Sequence, residues 1–146
     1  MKTQSYELFK NADINEITEV LAMELKQRNE QAFWADKVIP FSEAILSVLI
    51  PLRDANKLYN PEGVGVDELT PELFLKWSDF VSLKSLAFRI QKSNRLEGKA
   101  KTEIDLKTLG DYLSRYNVNL ENESLDFPIS SYNLHQGVSN VIKSLL

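Results

Sequence analysis

The stretch FWADKVIPFSEAILSVLIPL, residues 33–52, decides the fold class of this chain. Its apolar side chains recur at helical spacing over a face so wide that neighbouring elements must cover most of the helix. Pro40 removes a backbone donor and clashes with the preceding turn, so we expect either a kink there or two helices that meet near Ile39. The pattern predicts a kinked, largely buried central helix around which the rest of the chain packs.

Helix start signals lie on both sides of this stretch. Asp13, with Glu16 three residues later, is typical of a helix N-cap and predicts a helix from about Ile14 to Arg28. Thr70-Pro71-Glu72 supplies a cap, a proline at the first helical position and an acid in the first turn. These residues predict a further long helix that continues through Ile90.

The segments between these helices are polar and rich in turn formers. Residues 60–65, NPEGVG, predict a loop, since turn formers are concentrated there and the glycines are able to take positive φ. Residues 91–101 predict a solvated connection or a frayed helix end. Residues 117–131 predict an irregular segment, and the side chains expected to dock it are Leu125, Phe127 and Ile129.

Two shorter signals complete the chain. Asp105 is expected to cap a short helix, and a last helix is expected from about Tyr132 to the terminus. No stretch shows the alternation of β-branched residues that a sheet requires. The fold class predicted is therefore all-α, a single compact bundle of about five to seven helices.

Composition restricts the compartment and the partners. Lys and Arg number 17 against 21 Asp and Glu, a net charge of -4, which gives no overall field that attracts nucleic acid. Cysteine is absent, which excludes disulfides and thiolate metal sites and suits a reducing compartment. The first residues lack a signal core, and no apolar run reaches the roughly 20 residues of a membrane span. We expect one cytoplasmic domain without membrane contact.

Residues that could carry chemistry are few. The sequence lacks the GxxxxGK[ST] phosphate loop and a GxGxxG that opens a helix after a strand. His135 is the only histidine, so a zinc site would need at least two carboxylates beside it. No strained G-x-S-x-G elbow presents Ser130, Ser131 or Ser139 to it as a nucleophile. We expect His135 at a helix surface or cap, and we expect no catalytic site, cofactor or metal.

Two groups of side chains are candidates for binding. The aromatic residues could stack on nucleic-acid bases, but their helical spacing favours the core. A basic cluster faces few acids along the sequence; its members are Lys84, Arg89, Lys92, Arg95, Lys99, Lys101 and Lys107. It is either an ordinary solvated surface or a contact patch for a partner or for DNA phosphates. The candidate contact residues are Lys92, Arg95, Lys99 and Lys101.

Residues 6–54, YELFKNADINEITEVLAMELKQRNEQAFWADKVIPFSEAILSVLIPLRD, resemble the all-alpha domain of type IV coupling proteins. These proteins are the hexameric, membrane-anchored ATPases of conjugation and type IV secretion. The matching positions are Tyr6, the pair Phe33-Trp34 that opens the long helix, and Leu52-Arg53-Asp54 at its end. Residues 134–137, LHQG, also resemble the place where the family chain returns to its ATPase domain, whereas residues 60–131 lie outside the resemblance.

The resemblance implies that residues 1–146 are a substrate-recognition domain from a larger ATPase at the cytoplasmic face of the bacterial inner membrane. Such a domain receives relaxase–DNA complexes, secreted effector proteins or their adaptors and chaperones, while ATP hydrolysis belongs to the parent chain. The last helix runs on to Leu145 and Leu146 without a stop signal, which is the expectation for an excised fragment. The alternatives are a small helical DNA-binding module and a free-standing secretion chaperone or adaptor.

Overall fold

The computed structural model describes residues 2–27, 32–97, 104–116, 118 and 128–145. Within these ranges the chain forms seven helices: α1 Lys2–Asn11, α2 Ile14–Gln27, α3 Ala32–Asp54, α4 Pro71–Trp77, α5 Phe80–Glu97, α6 Lys107–Arg115 and α7 Ile129–Leu145. They confirm the predicted all-α bundle. None of the described helices combines the length and the apolar character needed to cross a membrane.

Helix α3 is the centre of the bundle and contacts α2, α4, α6 and α7. Phe41, Ile45 and Leu49 on its inner face are fully buried. Because Pro40 and Pro51 both lie inside this one helix, the alternative of two helices meeting near Ile39 is wrong. Packing on several sides offsets the hydrogen bond that a proline removes. The kink at Pro40 stays a prediction.

Helices α1 and α2 pack against α3 and α4. The Asp13 carboxylate accepts a hydrogen bond from the Glu16 amide at 2.9 Å, so the predicted cap of α2 is confirmed. Ile17, Leu21 and Leu25 are its buried face. The predicted end at Arg28 falls outside the described residues. Helix α1 was not predicted, because its buried side chains are too few to give a clear helical period.

The long helix predicted from Pro71 through Ile90 is two helices. Its start is as predicted, since the Thr70 hydroxyl accepts a hydrogen bond from the Leu73 amide at 3.1 Å. Helix α4 then ends at Trp77, and the Asp79 carboxylate accepts the Ser82 amide at 3.1 Å and so begins α5. Helix α5 continues to Glu97, so residues 91–97 are the end of a helix, one of the two predicted alternatives, and not a connection.

Helices α6 and α7 begin close to the positions predicted for them. The Asp105 carboxylate accepts the Lys107 amide at 2.9 Å at the start of α6. Helix α7 begins at Ile129 instead of Tyr132, because the Pro128 carbonyl accepts two amides of its first turn. Ile129 is 77% exposed, so its predicted docking role is wrong. Its partners in that prediction, Leu125 and Phe127, lie outside the described residues.

The predicted loop at residues 60–65 is confirmed, but only the first of its two glycines takes a positive φ. Gly63 takes φ of +85°, and the Asn60 side chain accepts a hydrogen bond from the Val64 amide at 3.0 Å. The Trp77 indole N–H donates to the Tyr59 carbonyl at 2.9 Å and attaches the loop to α4. The core assignment is confirmed for Phe41, Phe74, Trp77 and Phe80, which are buried, whereas Phe88 is half-buried. The side chains of Phe33 and Trp34 fall outside the description.

Candidate protein-binding groove

The outer face of α3 is the floor of a long groove. Lys37, Pro40, Glu43 and Ser47 follow one another at helical spacing and are each half-buried. Helix α6 lies along one side, α7 borders the Lys37 end, and the first turn of α2 borders the other end. The face of α3 that the core does not use is therefore recessed between other helices.

Three adjoining cavities of about 310, 280 and 490 Å³ make up this groove. The first and second share Pro40, Tyr112 and Arg115, and the second and third share Glu43 and Thr108. Because these shared walls join the cavities in sequence order along α3, we treat them as one feature, the α3 groove. From Lys37 to Ile50 it runs for about 20 Å, at 1.5 Å per helical residue.

The two ends of the α3 groove differ in charge. Its basic end is the cavity lined by Lys37, Pro40, Tyr112, Arg115, Tyr116, Ser130, Ser131 and Leu134. Its acidic end is the cavity lined by Asp13, Ile14, Asn15, Glu43, Ser47, Ile50 and Thr108. The middle has both signs, from Glu43, Lys107, Asp111 and Arg115. An occupant of this groove therefore meets a gradient of charge along its length.

Tyr112 anchors the wall that α6 contributes. Leu109 and Leu113 of α6 are fully buried against the core, and this places Tyr112 between the core and the groove. The Tyr112 hydroxyl lies 2.6 Å from Nδ1 of His135. Burial first, and then the neighbouring Tyr116, raise the pKa of Tyr112, so this phenol stays protonated.

His135 is a core residue, so its predicted place at a helix surface or cap is wrong. The side chain is fully buried, and Nε2 lies 2.6 Å from the Ser78 carbonyl oxygen. Burial lowers the pKa of His135 from 6.5 to about 4, although the Ser78 hydrogen bond and Asp79 act in the opposite direction. The ring is therefore neutral near pH 7, and both of its nitrogens are engaged.

These contacts separate His135 from the serines considered as nucleophiles. Tyr112 and the Ser78 carbonyl occupy its two ring nitrogens, while the Ser139 hydroxyl lies 2.7 Å from that of Ser78. Ser130 is exposed and lines the groove. Over the described part of the chain, no three histidine or acidic side chains converge to form a metal site.

The predicted basic cluster is not one surface. Lys84 is buried, whereas Arg89 and Lys92 on α5 are exposed. Arg95 lies on α5, but its side chain is not among those described, and Lys99 and Lys101 fall outside the described residues. Lys92 does not line the α3 groove. Lys107, the remaining member of the basic cluster, lines the middle of the α3 groove. The structure thus offers a candidate surface of which the basic cluster indicated only this residue.

Sequence reasoning missed the α3 groove because it depends on which helices flank α3. The sequence did contain a signal that His135 lies on a buried helix face. The residues of that face, spaced by four, three and four positions and all buried, are Ser131, His135, Val138 and Ile142. Leu134 and Val141, apolar residues of the same helix, lie beside this buried face. Both are half-buried.

Comparisons with protein-family models, with curated proteins and with solved structures found no match to this chain.

Proposed function

We propose that this chain is the substrate-recognition domain of a type IV coupling protein, and that it binds a segment of a secreted protein, a relaxase or an adaptor in the α3 groove. The observation that carries the proposal is the groove itself, about 20 Å long at 1.5 Å per helical residue. Pro40 and Tyr112 give it apolar surface, and charged side chains stand at both ends. Protein-binding clefts combine these features, because apolar contact supplies affinity and charges fix the register.

The residues that carry the family resemblance support the proposal through their place in the scaffold. Arg53, in the Leu-Arg-Asp sequence, donates from Nη1 to the carbonyls of Phe9 at 3.1 Å and Ala12 at 2.8 Å. The Tyr6 hydroxyl donates to the Glu72 carboxylate. These bonds join the end of α3 to the end of α1, and α1 to α4. They hold α3 in the position that forms the groove.

The second resembling segment, residues 134–137, also lies at a junction. His135 bonds the Ser78 carbonyl, and the Gln136 side chain accepts a hydrogen bond from the Phe80 amide at 3.1 Å. Both contacts join α7 to the turn between α4 and α5. Leu134 lines the basic end of the groove. The resemblance and the groove thus share α2, α3 and α7, whereas α6, which forms one wall of the groove, lies outside the resemblance.

Blocking the groove tests the proposal. The partner is the secreted protein, relaxase or adaptor encoded beside this chain, and its affinity is measured by titration calorimetry. Thr108 is exposed and belongs to both the middle and the acidic end, so Thr108→Trp fills the groove. The matched control is Ser114→Trp, exposed on the same helix but outside the groove.

We expect Thr108→Trp to weaken binding at least about tenfold, as loss of a buried contact does, and Ser114→Trp to leave it unchanged. Equal effects of the two variants would place the contact elsewhere. Absence of binding up to about 500 µM for every partner class would overturn the proposal. The flanking coding sequence is an independent check, since a coupling protein must also encode an ATPase phosphate loop.

A further inference from the structure

We propose that the basic end of the α3 groove recognises an acidic side chain in the partner peptide, and that the charge gradient sets the direction in which the peptide lies. The proposal rests on the proposed function and specifies the chemistry of the segment that is bound. Its occupant is a short peptide with a carboxylate at one end, apolar residues in the middle and a basic residue at the other end.

The positive charges at the basic end come from two helices. Lys37 projects from α3 and Arg115 from α6, and both line the cavity of about 310 Å³. Among the described residues that line this cavity there is no carboxylate, although the chain as a whole carries a net charge of -4. A carboxylate placed there meets two cations, and the guanidinium can bind it through two parallel hydrogen bonds.

The remaining lining groups suit a peptide rather than a free ion. The hydroxyls of Ser130 and Tyr116 offer hydrogen bonds, and Pro40 and Leu134 offer apolar surface beside them. A cavity of about 310 Å³ accommodates a glutamate side chain together with an apolar neighbour. The apolar part supplies the burial and the carboxylate supplies the specificity.

The rest of the groove argues against a nucleic acid as the occupant. Beyond the basic end, the lining includes Glu43, Asp111 and Asp13. A phosphate backbone carries a negative charge at every step, so its second and third phosphates would lie against these carboxylates. A peptide avoids this repulsion if it carries one acidic residue at the basic end and a basic residue at the acidic end. About six extended residues span the 20 Å.

An NMR titration of the full 146-residue chain tests the proposal. The probe is an acetylated, amidated hexapeptide with glutamate first, lysine last, and leucine and alanine between them. A second peptide has glutamine in place of the glutamate. Inorganic phosphate and a single-stranded DNA oligonucleotide are titrated separately, and the measured quantities are the amide shifts and the dissociation constants.

We expect saturable shifts around Lys37, Arg115 and Ser130 with the glutamate peptide, and binding of the glutamine peptide at least about fivefold weaker, as loss of a charge-assisted hydrogen bond implies. In the variant Arg115→Gln, which leaves only the Lys37 charge, the difference in affinity between the two peptides should become smaller. The control Lys143→Gln removes the same charge from an exposed position on α7 and should preserve the difference.

Any of three results would overturn the proposal. They are equal affinity of the wild type for the two peptides, a difference in affinity between the peptides that Arg115→Gln leaves unchanged, and the absence of saturable shifts at the basic end. Tighter binding of phosphate or of the oligonucleotide at these residues would assign the cavity to phosphate instead. The experiments distinguish a failure of this proposal from a failure of the proposed function. If Thr108→Trp blocks the cognate partner while Arg115→Gln has no effect, the groove remains the partner site and the acidic anchor is rejected.

Discussion

The imidazole of His135 donates a hydrogen bond from Nε2 to the backbone carbonyl of Ser78 at 2.6 Å. A carbonyl oxygen can only accept, so the proton is on Nε2, and Nδ1 accepts from the Tyr112 hydroxyl at 2.6 Å. The ring lies between those of Phe41 and Phe80, with centroids 4.8 and 4.6 Å away. One neutral side chain therefore joins α7 to α6 and to the turn between α4 and α5.

Acid should destabilise the chain through His135. Its pKa in the folded state is about 4, below the ordinary value of 6.5, so the unfolded state takes up the proton first. The stability that neutral His135 provides is complete above pH 6.5 and is lost as the pH falls from 6.5 toward 4. The free energy of unfolding should drop by about 3 kcal/mol over this interval, as measured by urea denaturation.

The variant His135→Gln isolates this effect from the titration of surface carboxylates. Glutamine can still meet a donor and an acceptor but does not ionise in this range. The difference in unfolding free energy between wild type and variant should narrow by most of that amount between pH 7 and pH 4. Parallel pH profiles for the two proteins would show that folding does not lower the pKa of His135.

Arg53 should hold α1 onto the end of α3. Its side chain is 11% exposed and bonds two carbonyls at the end of α1. Arg53→Met removes both charge-assisted bonds and should lower the free energy of unfolding by about 2 kcal/mol. In this variant, the exchange of backbone amides with solvent should accelerate more in α1 than in α5. Lys10→Met, an exposed change on α1, is the control and should shift neither quantity.

Much of this fold could be predicted from the sequence because its signals are local. Asp13 and Thr70 accept amide hydrogen bonds as their positions in the sequence indicate, and the buried face of α3 follows from spacing alone. The break after Trp77 could not be predicted in this way. The apolar spacing continues across it to Phe80, and the break depends on Asp79 capping a new helix.

The candidate site could not be predicted because it depends on tertiary structure. Lys37 and Arg115 lie 78 positions apart in the sequence and share a cavity only because α6 packs along α3. Lys84 shows the converse, since it belongs to a basic run in the sequence and is buried in the fold. Charge spacing predicts a surface only when the exposed face of each helix is already known.

Gly63 should be the residue on which the loop conformation depends. Its φ is +85°, and an added Cβ would meet no atom within 4 Å, so Gly63→Ala tests backbone strain alone. We expect a loss of about 1 kcal/mol in unfolding free energy. At Gly65, where a Cβ would make an ordinary contact of 3.9 Å with the Leu58 carbonyl, alanine should be tolerated. Equal losses at both positions would contradict this difference, measured by thermal and urea denaturation.

The candidate basic residues Lys92, Arg95, Lys99 and Lys101 should not contribute to partner binding. Replacing all four by glutamine removes the candidate DNA contacts, and none of the described residues that line the α3 groove is changed. Calorimetry should give a partner affinity within about twofold of wild type, because charges outside an interface are screened by salt.

The same variant separates protein recognition from the DNA-binding alternative. A DNA-binding module must lose affinity steeply between about 50 and 200 mM salt, because phosphate contacts release counterions. The slope of log affinity against log salt concentration should become shallower by nearly one for each phosphate contact removed. We expect fluorescence anisotropy with a labelled duplex to show only weak binding that is the same for wild type and variant. A steep salt dependence that disappears in the variant would identify these four residues as DNA contacts. The carboxylates that line the α3 groove would then have no part in that function, since they repel the same phosphates that the four cations attract.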